Sequence, residues 1–423
     1  MQLLNWANRF NSCAVLDNQQ YHSPYNNSFE CLVAAGARQT VSASAGDAFS
    51  RLLALYENNN DWLFGHLSYD LKNELEPLTS NHPDGIGFPD LFFFIPEIII
   101  QLSEEEITIG LYGTNHAAVY REIITCNADT KAMHSTVTGI KNRLSKEEYI
   151  HILQQLQQHI HRGDCYEINF CQEFFADDIV IDPLSVYFSL SAASPNPFAA
   201  FYKTDDKYLL CASPERYLKK TGNRVFSQPI KGTRQRSVST VDDIHYKDQL
   251  YNSAKERSEN VMIVDLVRND LSKICREGTV TVDELFGIYS FPQVHQMIST
   301  VSGQLRSDVH FLQAIKATFP MGSMTGAPKR RVLELIERYE KTKRGIFSGA
   351  VGYITPDGDF DFNVVIRSIL YNAANRYLSF QAGSGITFYS DPEGEYEECL
   401  LKAAAIKKVL AGNAFAEAVK SET

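Results

Sequence analysis

Two Glu-x-x-Glu pairs are the first residues that could do chemistry: Glu256 and Glu259 in AKERSEN, and Glu395 and Glu398 in GEYEECLLK. On a helix, this spacing puts both carboxylates of a pair on one face. Two such faces opposed would offer an all-oxygen site for a hard cation, with Mg2+ and its retained waters the first choice. The same pattern also arises as solvated charge, and acids are favoured in a first helical turn without any metal. Glu215 and Lys231 form a second set, on the two arms of a hairpin in SPERYLKKTGNRVFSQPIKGTRQR. With a three-residue loop at 221–223, Glu215 faces Pro229, and Lys231 shares its sheet face one diagonal step away. A one-residue change in the loop would put them on opposite faces. Aimed into one pocket, the pair could act as nucleophile and general acid. At the surface it would be a plain ion pair.

The segment FPMGSMTGAPKRRVLELIERY carries Gly322, Ser323, Gly326 and Pro328. Backbone N–H groups at such a helix start can hold an anion, and the same residues also suit an ordinary loop-to-helix joint. The spacing is not that of a Walker P-loop. AGSGI, with Gly383 and Gly385, follows an apolar strand. It reads either as exposed backbone N–H groups beside a ligand or as a bulge or turn. Arg367 ends the apolar run NVVIR. An Arg in that setting needs a carboxylate, from the protein or from a ligand. Lys402 lies four residues after Glu398, a spacing that a helix salt bridge also explains.

The elements that must position these residues follow from pattern. A helix starts near Ser145, with Glu148 completing a capping box. Strands are expected at 166–173, 198–202 and 208–212, before the hairpin. A long helix is expected from about Val241 to Arg276, capped by Thr240 with Asp243 and stopped at Gly278. A glycine-rich turn and helix (321–340), strands at 346–355, 361–371 and 376–387, and a last helix (393–411) complete the chain. Strands and helices do not alternate regularly, so the class is α+β. Residues 1–135 carry few chemical signals, 136–145 form a polar joint, 145–411 hold nearly all the chemistry, and 412–423 read as a tail.

The 423 residues, 44% hydrophobic, suffice for one large domain or two closely joined ones. A formal net charge of −11 without a basic stripe argues against nucleic acid or an anionic membrane as partner. An anionic substrate would then need a local pocket of cations. Eight scattered cysteines without a CxxC pair read as buried thiols in a reducing compartment. The N-terminus lacks the charged start and apolar run of a signal peptide. The longest apolar stretch, around 91–100, contains Pro96 and is too short to span a membrane. A cytoplasmic protein is expected.

In order and wording, the motifs GDCYEINFCQ, SPERYL, PIKGTRQR, KERSENVMIVDLVRNDL, FPMGSMTGAPK, GAVGYI, DFNVVIRSI, AGSGI and SDPEGEYEECLLKA resemble the chorismate-utilising enzymes. That family includes anthranilate synthase component I, aminodeoxychorismate synthase component I, and the isochorismate and salicylate synthases. The resemblance is strong over about 145–411 and fainter before, chiefly in WLFGHLSYDL. It implies the anthranilate synthase component I-like fold, a β-sandwich-like core of two sheets wrapped by helices.

The resemblance also implies roles. Mg2+ would bind the ring carboxylate of chorismate, held directly by Glu259 and Glu398 and directly or through water by Glu256 and Glu395. Tyr353, Arg367, Lys402 and the backbone of Gly383 and Gly385 would bind carboxylate groups. Ser323 stands where anthranilate synthases have Thr, and His295 matches a family histidine close to the ring. Lys231 stands in P-I-K-G-T, where anthranilate synthases read P-I-A-G-T. This is the mark of the branch that makes 4-amino-4-deoxychorismate. There the Lys amine adds at C2 as the C4 hydroxyl departs, and ammonia then takes C4. A nucleophilic Lys231 is expected to have its pKa lowered by burial and nearby cations. Glu215, the implied general acid, is expected to have its pKa raised. The isochorismate branch has its water-activating Lys at the position of Glu167. Family relatives more often have Gln there, so Glu167 is a departure that argues against isochorismate synthase, with a local effect on ammonia entry left open. No glutamine amidotransferase motif is present, since Cys165 lies in GDCYE. Ammonia is therefore expected from solution or from a separate glutamine amidotransferase subunit. The rival readings are anthranilate synthase component I, which releases pyruvate, and an inactive protein that senses chorismate or tryptophan.

Overall fold

A computed structural model describes residues 1–21, 29–127 and 136–412. The expected boundary at 135 and nearly all of the expected tail lie outside the described residues.

Two long strands, Cys31–Ala43 and Leu91–Leu102, organise the fold. They pair along their whole length, with a bulge between Ala37 and Gln39 opposite Pro96. Beyond that bend the ladder divides. One half continues through Ser12–Asp17, Phe198–Thr204, Lys207–Ser213, Ser368–Asn372 and Tyr377–Thr387 to Glu167–Ala176. The other continues through Leu63–Leu67, Ala350–Ile354, Phe360–Asn363, Arg216–Thr221 and Arg224–Gln228 to Val294–Gln304. Strands from the first third of the chain thus pair directly with strands from the rest. Every pairing named here is antiparallel, consistent with the α+β class.

Side-chain alternation makes two layers of this ladder. Ala14, Ala200, Tyr202, Leu209 and Cys211 face a core shared with Phe64, Val351, Phe362 and Leu218 of the other half. Their neighbours Cys13, Val15, Phe201 and Leu210 face outward onto helices. Those helices are Lys146–His161, Pro183–Ala193 and Pro392–Leu410. The first begins at the Ser145–Glu148 capping box read from the sequence.

Three elements depart from expectation. The long helix is two, Thr240–Asn252 and Ala254–Ser272, broken at Ser253, whose side chain caps the second at the Glu256 N–H. Ser239 rather than Thr240 caps the first, and the second ends at Ser272, well before Gly278. The strand expected over 361–371 is interrupted: Phe360–Asn363 and Ser368–Asn372 flank a turn in which Arg367 has φ +51°. The hairpin loop has two residues, since Thr221 pairs with Arg224, and this would reverse the sheet face of Glu215 relative to Lys231. A bulge between Arg216 and Lys219 adds one residue to the first arm and undoes the shift, so Arg216 faces Gln228. At the Glu215 end the register is therefore the one a three-residue loop would have produced.

Candidate active site

Lys231 lies on the strand Ile230–Gln235, paired with Val294–Gln304 through a bulge between Ile230 and Thr233. Its Nζ donates to Glu167 Oε1 at 2.6 Å. The pair is closed off from solvent, the side chains being 10% and 2% exposed. Glu167 Oε2 is buried and accepts no hydrogen bond. Burial works to lower the Lys231 pKa, but the carboxylates of Glu167, Glu259 and Glu215 outweigh it and hold the ammonium well above its ordinary range. The expected lowering is thus reversed. The sequence reading placed cations around Lys231, whereas the groups facing it are acids.

Backbone geometry seals this pair. Gly385 sits in the strand Tyr377–Thr387, directly paired with Asn169. A Cβ at Gly385 would stand 2.9 Å from both Lys231 Nζ and Glu167 Oε1. A Cβ at Gly383 would meet the Phe170 carbonyl at 1.9 Å. AGSGI is thus neither turn nor bulge but an unbroken strand segment packed against the ion pair. At Gly232, φ is +94° and a Cβ would meet Glu256 Oε2 at 3.0 Å, which brings the Lys231 strand against the acidic helix.

Glu215 is 4% exposed. Burial pushes its carboxyl up to about 7, against the opposing influence of the Ser323 hydroxyl, the Lys231 ammonium and the Arg367 guanidinium. A carboxyl near 7 can hold or release a proton at neutral pH, as a general acid requires. Ser323 stands beside it in the turn Gly322–Met324, its hydroxyl buried without a hydrogen-bond partner. Burial lowers the Arg367 guanidinium to about 10, with the Glu215 carboxylate opposing. Glu215, Lys231, Ser323 and Arg367 therefore form one electrostatic group with Glu167.

The acidic pairs continue the buried stripes of their helices. Glu259 precedes Ile263 and Val267 at four-residue steps, and Glu395 precedes Cys399 and Ala403 at the same steps. The two helices face each other across Lys255, whose Nζ is 3.9 Å from Glu259 and 3.5 Å from Glu395. Burial raises the carboxyls of Glu256 and Glu259, the latter to about 7. Glu259 Oε1 is buried without a hydrogen-bond partner. Burial also works upward on Glu398, but Lys402 at 2.8 Å prevails and holds its carboxyl below the usual range. Lys402 Nζ donates as well to the Gly383 carbonyl, at 2.9 Å. The helix salt bridge and the link to AGSGI are thus both present.

Among the described residues no three acidic or metal-binding side chains are drawn together tightly enough to hold a metal. The donors nonetheless suit a hard divalent cation. They are carboxylates on two facing helices, one with an orphaned buried oxygen, and a lysine ammonium spans them as counter-charge.

Two further expected residues are engaged with neighbours of their own. His295 is 1% exposed, but its Nδ1 pairs with Ser290 Oγ at 2.8 Å and its Nε2 with Asp243 Oδ1 at 3.1 Å. Asp243 is held in turn by Arg236 at 2.8 Å. Asp243 is thus spent on this network instead of a capping box. The Tyr353 ring packs with Trp62, Phe64 and Phe29 at centroid distances of 5.6, 6.0 and 6.0 Å, within the core of the first third.

Sequence reasoning missed Lys255 and Arg344. Lys255 is legible in hindsight, since it precedes the first acid of AKERSEN. Arg344 is 2% exposed and donates to Glu340, to the Met324 carbonyl at 2.7 Å and to the Asn169 carbonyl at 2.8 Å. It ties the Ser323 turn to the Glu167 strand. The Glu340 partner lies four residues back, a spacing open to local reading, but the two carbonyls are distant in sequence and no local pattern announces them.

Comparison with known proteins bears on the family and the fold. A family described as chorismate binding enzyme matches residues 11–408. Aminodeoxychorismate synthase component 1 of Escherichia coli (strain K12) is 33% identical over 347 residues, 82% of this chain and 76% of that protein. Anthranilate synthase component 1 of Saccharolobus solfataricus is also 33% identical, over 355 residues, 82% of this chain and 80% of that one. Among solved structures, anthranilate synthase component I from Streptococcus pneumoniae superposes with a TM-score of 0.79 at 23% identity, covering 92% of this chain and 95% of that chain. The menaquinone-specific isochorismate synthase of Escherichia coli gives 0.75 at 18% identity, covering 96% and 91%. The fold is therefore the anthranilate synthase component I-like one, and the chain belongs to the chorismate-binding enzyme family.

Proposed function

We propose that this enzyme aminates chorismate at C4, yielding 4-amino-4-deoxychorismate, the step that leads to para-aminobenzoate and folate. The observation that carries the reading is Lys231 itself: a buried amine in the same electrostatic group as a carboxyl near 7. The relatives are named for both aminating activities at equal identity, so overall similarity does not favour either. Lys231 does.

In this reading the Lys231 amine bonds to C2 of the ring. The double bonds shift toward C4, and the C4–O bond breaks. Glu215 gives its proton to the departing hydroxyl, which leaves as water. Ammonia then bonds to C4, and the C2–N bond pair returns to Lys231. Because C2 is covalently occupied, nitrogen cannot enter there, and the enolpyruvyl group stays in place. Arg367 and Lys402 supply positive charge for carboxylates, with Ser323 beside the acid. Glu259 and Glu398, with Glu256 and Glu395, would hold Mg2+. When bound, Mg2+ supplies a fixed charge that binds and polarises the ring carboxylate. Ammonia would come from a separate glutamine amidotransferase subunit, because ammonium, the form prevailing near neutral pH, is not nucleophilic. Among the described residues no helix is long and apolar enough to cross a membrane.

The test is Lys231→Ala. Loss of a covalent nucleophile should cut aminodeoxychorismate formation by roughly 10²-fold or more. Full activity of the variant would refute the assignment.

A further inference from the structure

Lys231 poses a problem for any reaction in which it is a nucleophile, because an ammonium has no lone pair to donate. It is buried, and acids from four elements act on it: Glu167 from the strand Glu167–Ala176, Glu215 from the start of the hairpin, Glu256 and Glu259 from one helix, and Glu398 from another, with Arg234, Lys255, Arg367 and Lys402 acting on those acids in turn. Among the described residues, its side-chain hydrogen bond is to Glu167, at 2.6 Å. Glu167 is itself 1% exposed, and its second oxygen has no donor. Gly385 leaves no room at the pair for a bulkier group. Two opposite charges removed from water are each penalised by desolvation, and one proton moved along the hydrogen bond removes both.

We propose that Glu167 is the residue that takes the proton from Lys231 and returns it at the end of the cycle. The inference rests on the reading of Lys231 as nucleophile. Glu167 acts through Lys231 and is a positioning residue. The Lys231 ammonium passes one proton to the Glu167 carboxylate, leaving a neutral amine and a neutral carboxyl. The amine lone pair forms the N–C2 bond, the C4–O bond breaks, and the hydroxyl leaves as water with the proton of Glu215. The adduct nitrogen is then a secondary ammonium. Ammonia bonds to C4, the C2–N pair returns to Lys231 as a neutral amine, and Glu167 gives its proton back. Glu215 is reprotonated from solvent, so the sum is chorismate plus ammonium giving protonated product plus water. A Gln at 167 could still accept a hydrogen bond from Lys231 but could not accept its proton.

The test is the rate of adduct formation on Lys231, read by intact-protein mass spectrometry after quenching with chorismate and Mg2+ but no ammonia. Glu167→Gln should bind chorismate as the wild type does yet form the adduct roughly 10²-fold more slowly at pH 7. The ratio of variant to wild-type rate should rise with pH, about tenfold per unit, because solvent must now remove the proton. Glu167→Asp should recover part of the rate and the wild-type pH dependence. A Glu167→Gln adduct formed as fast as in wild type, or a ratio independent of pH, overturns this inference and leaves the Lys231 reading standing. A wild type that forms no adduct on Lys231 overturns both.

Discussion

Gly385 and Lys231 are separated by 154 positions, yet a Cβ on Gly385 would stand 2.9 Å from the Lys231 amine. The ion pair between Lys231 and Glu167 can close only because that strand presents a bare backbone. Gly385→Ala should therefore push Lys231 off its position while leaving the strand pairing intact. Displacing a nucleophile on this scale costs roughly 10²-fold in kcat. The melting temperature should stay within a few degrees of wild type, since strand φ is tolerated by alanine. Kinetics and thermal melts on one preparation would check this, and wild-type kcat in Gly385→Ala would contradict it.

Under the proposed mechanism Glu215 sets the pH dependence of the first half-reaction. Its carboxyl is raised to about 7 by burial, so the proton it must donate is present below that value and lost above it. Adduct formation without ammonia should fall as pH rises through about 7. Turnover with ammonium salts carries an opposing rise, because free ammonia increases toward its own pKa. Glu215→Gln, which removes the acid, should abolish the basic limb together with most of the rate. A half-reaction that speeds up above pH 7 in the wild type would contradict the role.

The metal assignment makes its own demand. Chelation should stop turnover, and added Mg2+ should restore it. Glu259→Gln and Glu398→Gln should each lose nearly all activity, by roughly 10²-fold or more, with the fold unchanged by circular dichroism. Full turnover in excess chelator would remove Mg2+ from the account.

Much of this was legible in the sequence where the signal is local. The Ser145–Glu148 cap, the acidic pairs on helix faces and the strands around 198–212 depend on neighbours within a few residues. The break at Ser253 was not legible, since acidic helical residues run through it on both sides. Nor was the bulge that restores the hairpin register, because the same stretch of strand also pairs, with its own irregularity, against Phe360–Asn363, far along the chain. The electrostatics of Lys231 were misread for a related reason. The sequence shows cations near it in order, while the fold surrounds it with carboxylates from four separate elements. Tyr353 was named by motif wording alone, and its ring contacts with Trp62 and Phe64 come from residues far away in sequence.

The central claim is that Lys231 blocks C2 and sends nitrogen to C4, and product analysis of the wild-type enzyme tests it most directly. Incubated with chorismate, ammonium and Mg2+, the enzyme should form 4-amino-4-deoxychorismate with the enolpyruvyl side chain retained. A coupled lactate dehydrogenase assay should then find no stoichiometric pyruvate. Anthranilate, seen by its fluorescence and matched by one pyruvate per turnover, would contradict the account and place the enzyme with the rival activity.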